Sequence, residues 1–144
     1  MYPTTDPEPP WLIDINPVIS ADNVNWSSVQ ASDATVYLPF RFGTGAQNQE
    51  VSWPVVLSAG VWTVQLTIRK ASSYGIINVQ LDGVTVGTID AYNGSTLDNQ
   101  TATITGIAVT SGGKKVLRLI NATKNGSSSG YNSSLEWVRL IRTA

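Results

Sequence analysis

Residues 61–69 read VWTVQLTIR, and this stretch decides the fold. Trp62, Val64, Leu66 and Ile68 fall on one side of an extended chain, and Thr63, Gln65, Thr67 and Arg69 on the other. Alternation with a period of two is the pattern of a half-buried antiparallel strand. Ser58-Ala59-Gly60 supplies a turn before it. Downstream, residues 76–81 (IINVQL) set Ile77, Val79 and Leu81 on one face. Asp82-Gly83 then suits the positive φ of a type I′ hairpin turn, and residues 84–89 (VTVGTI) return. Gly87 marks a bulge or a close backbone approach. Residues 101–109 and 115–120 resume the β pattern on either side of Ser111-Gly112-Gly113. Residues 135–142 (LEWVRLIR) are apolar on both faces, which points to a central strand or a subunit contact.

Turn residues recur at intervals of about 8–12 residues, as in a β-sandwich. No helix-period segment exceeds about two turns, and no repeat or heptad is present. The expectation is all-β, an antiparallel sandwich of about eight to ten strands. At 144 residues the chain has the length of one domain, enough to bury a core without disulfides.

Two segments stand apart. Four of the seven prolines lie in the first ten residues, at Pro3, Pro7, Pro9 and Pro10. Proline fixes φ and cannot donate to a ladder, so residues 1–20 are expected as an extended arm and residues 21–144 as the sandwich. Trp11, Ile13 and Ile15 would be docking anchors of that arm, which can add to a sheet edge or lie along a neighbour. The alternative is an ordinary first strand with a frayed start. The second segment, residues 121–134 (NATKNGSSSGYNSS), is too long and polar for a hairpin turn and is expected to be an exposed loop.

Composition removes whole classes of function. Net charge is -1, from 9 basic and 10 acidic residues, which argues against a nucleic-acid binder working by bulk phosphate neutralisation. There is no Cys and no His, which excludes disulfides, thiolate and imidazole metal sites and a Ser-His-Asp triad. A glycosidase needs two carboxylates about 5–10 Å apart across a cleft. Asp90 and Asp98 share a loop, but a turn aspartate usually bonds its own backbone, and no enzyme is expected. The first residues have neither a positive cluster nor an apolar core, so no signal peptide is expected. No stretch approaches the ~20 apolar residues of a spanning helix, so no membrane insertion is expected. Six Asn-X-Ser/Thr sequons, at Asn25, Asn93, Asn99, Asn121, Asn125 and Asn132, read as by-products of an Asn-, Ser- and Thr-rich composition.

What remains is recognition. Trp62 reads as core, and Trp53 and Trp137 as core or edge packing. Tyr74, Tyr92 and Tyr131 each lie in a polar stretch, SSYG, DAYNG and SGYNS. Tyrosine in an exposed loop is a rigid amphipathic contact surface, suited to the flat apolar face of a sugar. Loops after alternate strands gather at one end of a sandwich, so Tyr74 and Tyr131 are expected on one rim, and this parity does not place Tyr92. Asn93, Lys124, Asn125 and Asn132 would hydrogen-bond the sugar hydroxyls. The alternative for each tyrosine is that it folds back onto its own loop.

The order of SAGVWTVQLTIRKAS, INVQLDGVTVGTI, TSGGKKVLRLI and NSSLEWVRLI, over residues 55–142, resembles jelly-roll carbohydrate-binding modules found beside glycoside hydrolases. That resemblance implies a jelly-roll sandwich. It also implies a structural calcium held by an early acidic residue and an acid at the start of the last strand. Glu136 sits at the matching place, with Asp33 or Glu50 as partner. Residues 50–144, with EVSWPVVLSAGVWTVQL, LDGVTVGTIDAY and ATKNGSSSGYNSSLEWVRLIRTA, resemble small β-rich domains of bacteriophage virions. This implies a non-catalytic accessory protein of the head or tail. Capsid or tail proteins, host-surface polysaccharide and further copies of the chain, as a homotrimer, would be its partners, and the virion its location. The other reading is a dedicated glycan-binding module of a receptor-binding or wall-degrading protein.

Overall fold

The computed structural model describes residues 12–15, 23–24, 28–29, 40–44 and 46–144. Eleven strands are found there: β1 (Leu12–Ile15), β2 (Asn23–Val24), β3 (Ser28–Val29), β4 (Phe40–Thr44), β5 (Glu50–Leu57), β6 (Gly60–Lys70), β7 (Ile76–Leu81), β8 (Val84–Asp90), β9 (Leu97–Val109), β10 (Gly113–Thr123) and β11 (Asn132–Arg142). They form two antiparallel sheets. One runs β3-β4-β11-β6-β9, with β1 also paired to β11; the other runs β2-β5-β10-β7-β8. No helix is present among the described residues.

The stretch that opened the reading is β6. Trp62, Val64, Leu66 and Ile68 are all buried between the sheets. β5 contributes Val51, Trp53, Val55 and Leu57, β7 Ile77 and Val79, and β10 Leu117 and Leu119. Full burial of each large aliphatic side chain is worth about 1.5–3 kcal/mol, which is why the alternation specifies the sheet faces. Asp82 and Gly83 take φ of 49° and 80°, the turn their sequence anticipates. The register of β7 on β8 shifts where Val79 faces Gly87 and Gln80 faces Thr85, the bulge expected at that glycine.

β11 is central. β6 pairs along one side of it, and β4 and β1 share the other side. This is the central position that its apolar residues on both faces suggested. β1 corrects part of the arm reading. Ile15 is in the chain's own core and Ile13 packs against it, so neither is a free docking anchor. Asp14 faces Arg139 across the β1–β11 ladder and accepts two hydrogen bonds from its guanidinium, at 2.7 and 3.1 Å. Trp11 and the remainder of the expected arm lie outside the described residues.

Candidate functional site

Strands β6, β8 and β10 end, and β5, β7, β9 and β11 begin, at one end of the sandwich. The segments 46–49, 71–75, 91–96 and 124–131 therefore meet there. Segment 71–75 is the hub. On one flank Ala71 N–H donates to Ala91 O (3.1 Å), Asn93 N–H to Ala71 O (3.2 Å) and Ala91 N–H to Gly75 O (3.0 Å). On the other flank Gly75 N–H donates to Asn132 O, Asn132 N–H to Ser73 O and Ser129 N–H to Ser72 O, each at 3.0 Å. Two isolated parallel bridges, Ala71–Tyr92 and Tyr74–Asn132, describe the same lacing. The three tyrosine-bearing stretches are thus hydrogen-bonded into one unit, which includes the Tyr92 stretch that the sequence left unplaced.

The expected exposed loop of residues 121–134 is shorter and less exposed than its composition suggests. β10 continues to Thr123 and β11 begins at Asn132. Asn121, Ser128, Ser133 and Ser134 are buried. For Asn121 and Ser128 the reason is hydrogen bonding: polar side chains are tolerated inside when their partners are there too. The Ser128 hydroxyl donates to Tyr74 O at 2.7 Å and accepts from Gly130 N–H. Asn121 donates its side-chain amide to Tyr131 O. Its main chain exchanges bonds of 2.9 Å with the segment before β5, Asn48 N–H to Asn121 O and Asn121 N–H to Gln49 O.

The tyrosines divide. Tyr74 is 3% exposed, and its hydroxyl shares a 2.7 Å hydrogen bond with Ser134 Oγ. It is a core residue and not a ligand platform, a correction to its expected role. Tyr92 and Tyr131 are half-buried, each with part of its surface open. Lys124 donates to Ser128 O at 2.8 Å and holds its ammonium 5.8 Å from the Tyr131 ring centroid, within cation–π range.

The amide side chains are also fixed. Asn125 Oδ1 accepts from Ser127 N–H (3.0 Å), and its Nδ2 donates to Asp90 Oδ2 (2.8 Å). Asp90 Oδ1 accepts from Tyr92 N–H at 2.9 Å. One carboxylate therefore ties the Tyr92 segment to the Lys124–Tyr131 loop. Asn93 donates to Ser95 O at 2.7 Å, and Asn132 donates to Ser73 Oγ at 3.0 Å. Asp90 bonds backbone N–H as a turn aspartate is expected to, but its tie to Asn125 and the buried role of Asn121 are not foreseen in the sequence reading. Both organise the rim. The sequence signal was there: Asp90 ends a strand just before a tyrosine, and Asn121 continues the inward alternation of Leu117 and Leu119.

The calcium expectation rests on Glu136, Asp33 and Glu50. Glu136 is buried at the bulge of β11 between the Leu135–Ile68 and Trp137–Thr67 pairings. Glu50 is committed to an ion pair with Arg118. Asp33 lies outside the described residues. Calcium takes six to eight oxygens, and among the described residues no group of three acidic side chains comes together to begin such a set.

No protein-family profile and no curated protein matches this chain. Solved structures do. The CBM36-1 domain of a multidomain xylanase from the hindgut metagenome of Trinervitermes trinervoides superposes with a TM-score of 0.63 at 11% identity, covering 92% of this chain and 98% of that one. A family 6 carbohydrate-binding module from Clostridium cellulolyticum, solved in complex with xylose, gives 0.59 at 23% identity, over 92% and 97%. A CBM36 module in complex with calcium and xylotriose gives 0.56 at 14% identity, over 89% and 98%. At these identities the likeness establishes the fold, a jelly-roll β-sandwich of the carbohydrate-binding-module kind.

Proposed function

We propose that this chain is a non-catalytic glycan-binding domain whose ligand lies across the rim formed by Tyr92, Tyr131, Asn93, Lys124, Asn125 and Asn132. One observation carries the reading. Two half-exposed tyrosines stand on loops laced to a common hub, with amide and ammonium groups held between them by fixed hydrogen bonds. A rim ordered before binding loses little conformational entropy when it takes up a polysaccharide. A neutral, hydroxyl-rich glycan suits it, because the bound ligand would meet amides, hydroxyls and ring faces, with Lys124 and Asp90 already bonded within the rim. The fold shared with modules solved with xylose and xylotriose supports this class of ligand. The test is calorimetric titration with soluble xylo-, manno- and gluco-oligosaccharides and with bacterial wall polysaccharide. Saturable binding to one of them, lost in Tyr92→Ala/Tyr131→Ala and kept in Tyr74→Phe, is the expected result. Binding unchanged in the double variant overturns the site, and no binding to any glycan overturns the function.

A second reading sets the same domain on a phage particle, as a head or tail accessory. What favours it is the resemblance of residues 50–144 to virion domains. Docking would then fall to the residues before Leu12, with Trp11 foremost, because Ile13 and Ile15 are spent on the core. A trimer in light scattering, and loss of particle binding in Trp11→Ala, are its expected results. A structural calcium would use the buried Glu136 together with Asp33. In that case 1 mM calcium raises the melting temperature over EDTA, and Glu136→Gln removes the difference.

A further inference from the structure

The end of the sandwich opposite the loops carries a cation in an unusual place. In β10 the inward positions are Lys115, Leu117, Leu119 and Asn121, and the outward ones include Val116 and Arg118. Leu117, Leu119 and Asn121 have no exposed surface. Lys115 pairs with the buried Val55 of β5, so it occupies an inward row. Val116, on the outer face, is 41% exposed. The usual pattern is inverted at this step of the strand.

Lys115 faces a cleft. β8 and β9 are the edge strands of the two sheets, and the seam between them is open at this end. Near its middle the seam is shut, because Ile104 packs directly on Gly87; a Cβ at Gly87 would lie 2.8 Å from Ile104 Cδ1. Beyond that point the register of β9 on β6 slips between Ile104 and Ile107. A cavity of about 300 Å³ follows, lined by Leu81, Val84, Val86, Ile107 and Val109, with Asp82 and Lys115 at its margin. This is the small end of the range for ligand pockets.

The lysine is under-used. Its side chain is 20% exposed, and among the described residues its ammonium makes only a 3.8 Å ion pair with Asp82 Oδ2. Asp82 gives its other oxygen to Val116 N–H at 2.7 Å. A carboxylate entering the cleft would meet this ammonium in a charge-assisted hydrogen bond, shorter and stronger than the 3.8 Å pair it now makes.

We infer that this cleft is a second binding site, for a small organic monocarboxylate with an apolar body. The carboxylate accepts from Lys115 Nζ, and the body lies among Leu81, Val86, Ile107 and Val109. With each water-sized group taking about 30 Å³, the cavity holds roughly ten non-hydrogen atoms. Octanoate and phenylbutyrate are of that size. The site is separate from the tyrosine rim, at the other end of the molecule, and does not depend on the glycan reading.

The test is titration of the intact ¹⁵N-labelled chain with octanoate, followed by amide shifts, with octanol as the uncharged control. The expected result is saturable shifts at Val86, Ile107, Val109 and Lys115 that leave the Tyr92 and Tyr131 loops unmoved. Octanol should bind at least tenfold more weakly. Lys115→Met keeps the apolar stem, removes the charge and should abolish the preference for octanoate. Val86→Phe, which fills the cavity while leaving Lys115 in place, should lose both ligands. Four results would each overturn the inference: no saturation in the wild type, equal binding of octanol, an unchanged preference in Lys115→Met, or unchanged binding in Val86→Phe.

Discussion

The two ends of this sandwich are built by opposite means. At the loop end, polar side chains go inside: Tyr74, Asn121 and Ser128 are buried, each with hydrogen-bond partners supplied by another segment. At the hairpin end the connections are two-residue turns such as Asp82-Gly83, and apolar side chains go outside. Val56 and Val84 are each 64% exposed there, and a lysine points in. Loops are cheap in stability only when nothing is buried beneath them. The loop end has made its loops part of the core, so a change there is expected to act on folding and on recognition together. The hairpin end keeps its turns local, and changes there stay local.

The largest effect should come from the buried tyrosine. Tyr74→Ala removes an aromatic side chain from beneath three connected segments, and truncations of this kind cost about 3–5 kcal/mol. Tyr74→Phe keeps the ring and loses the bond to Ser134 Oγ, a cost of about 1 kcal/mol. The matching change at the other end, Val84→Ala, should stay within about 0.5 kcal/mol. Urea denaturation of the three variants measures the contrast. Equal losses from Tyr74→Ala and Val84→Ala would mean that the loop end is a surface feature after all.

Glycines sharpen the same comparison. Gly75 is required for space: a Cβ there would lie 2.7 Å from Asn121 Oδ1 and 3.1 Å from Thr123 O. Gly83 is required for its φ of 80°, with open space around it. Gly75→Ala is therefore overpacking, at about 1–3 kcal/mol. Gly83→Ala is left-handed strain, at about 1–2 kcal/mol. The rescues differ. Gly83→Asn should recover much of the loss, since asparagine tolerates that conformation. Gly75→Asn should be worse than Gly75→Ala. A double variant, Gly75→Ala with Asn121→Ser, should lose less than the sum of its single changes, because the two residues share one contact.

Alternation made the sheets legible. Trp62, Val64, Leu66, Ile68, Ile77 and Val79 are buried as their parity requires, and Asp82-Gly83 turns where its backbone preference says. The loop end was legible only in part. That the Tyr74 and Tyr131 segments share one end follows from strand parity, whereas the Tyr92 segment is placed by its hydrogen bonds to residues 71–75. That Tyr74 is inside does not, because its burial depends on a hydroxyl 60 residues away, Ser134 Oγ. A polar stretch such as SSYG looks the same whether its partners are water or another loop. Ile13 and Ile15 went astray for a similar reason. A proline-rich prelude suggested a free arm, whereas pairing with β11, more than a hundred residues later, makes these residues core.

The smallest effect tests the rim most directly. Asn125 Nδ2 reaches Asp90 Oδ2 at 2.8 Å, and Asp90 also holds Tyr92 N–H. Asn125→Asp keeps the shape and the acceptor for Ser127 N–H, but sets two carboxylates against each other. Both residues lie near solvent, so the cost to folding should be under about 1 kcal/mol and should shrink with added salt. The effect on glycan binding should be larger than that, since the repulsion separates the Tyr92 segment from the Lys124–Tyr131 loop and spoils their spacing. Titrating Asn125→Asp at low and high salt reads both effects, with Asp90→Asn/Asn125→Asp restoring a neutral–charged pair as the control. If the single variant binds as well as wild type at low salt, the two tyrosine loops do not act as one surface, and the difference between the ends is one of folding alone.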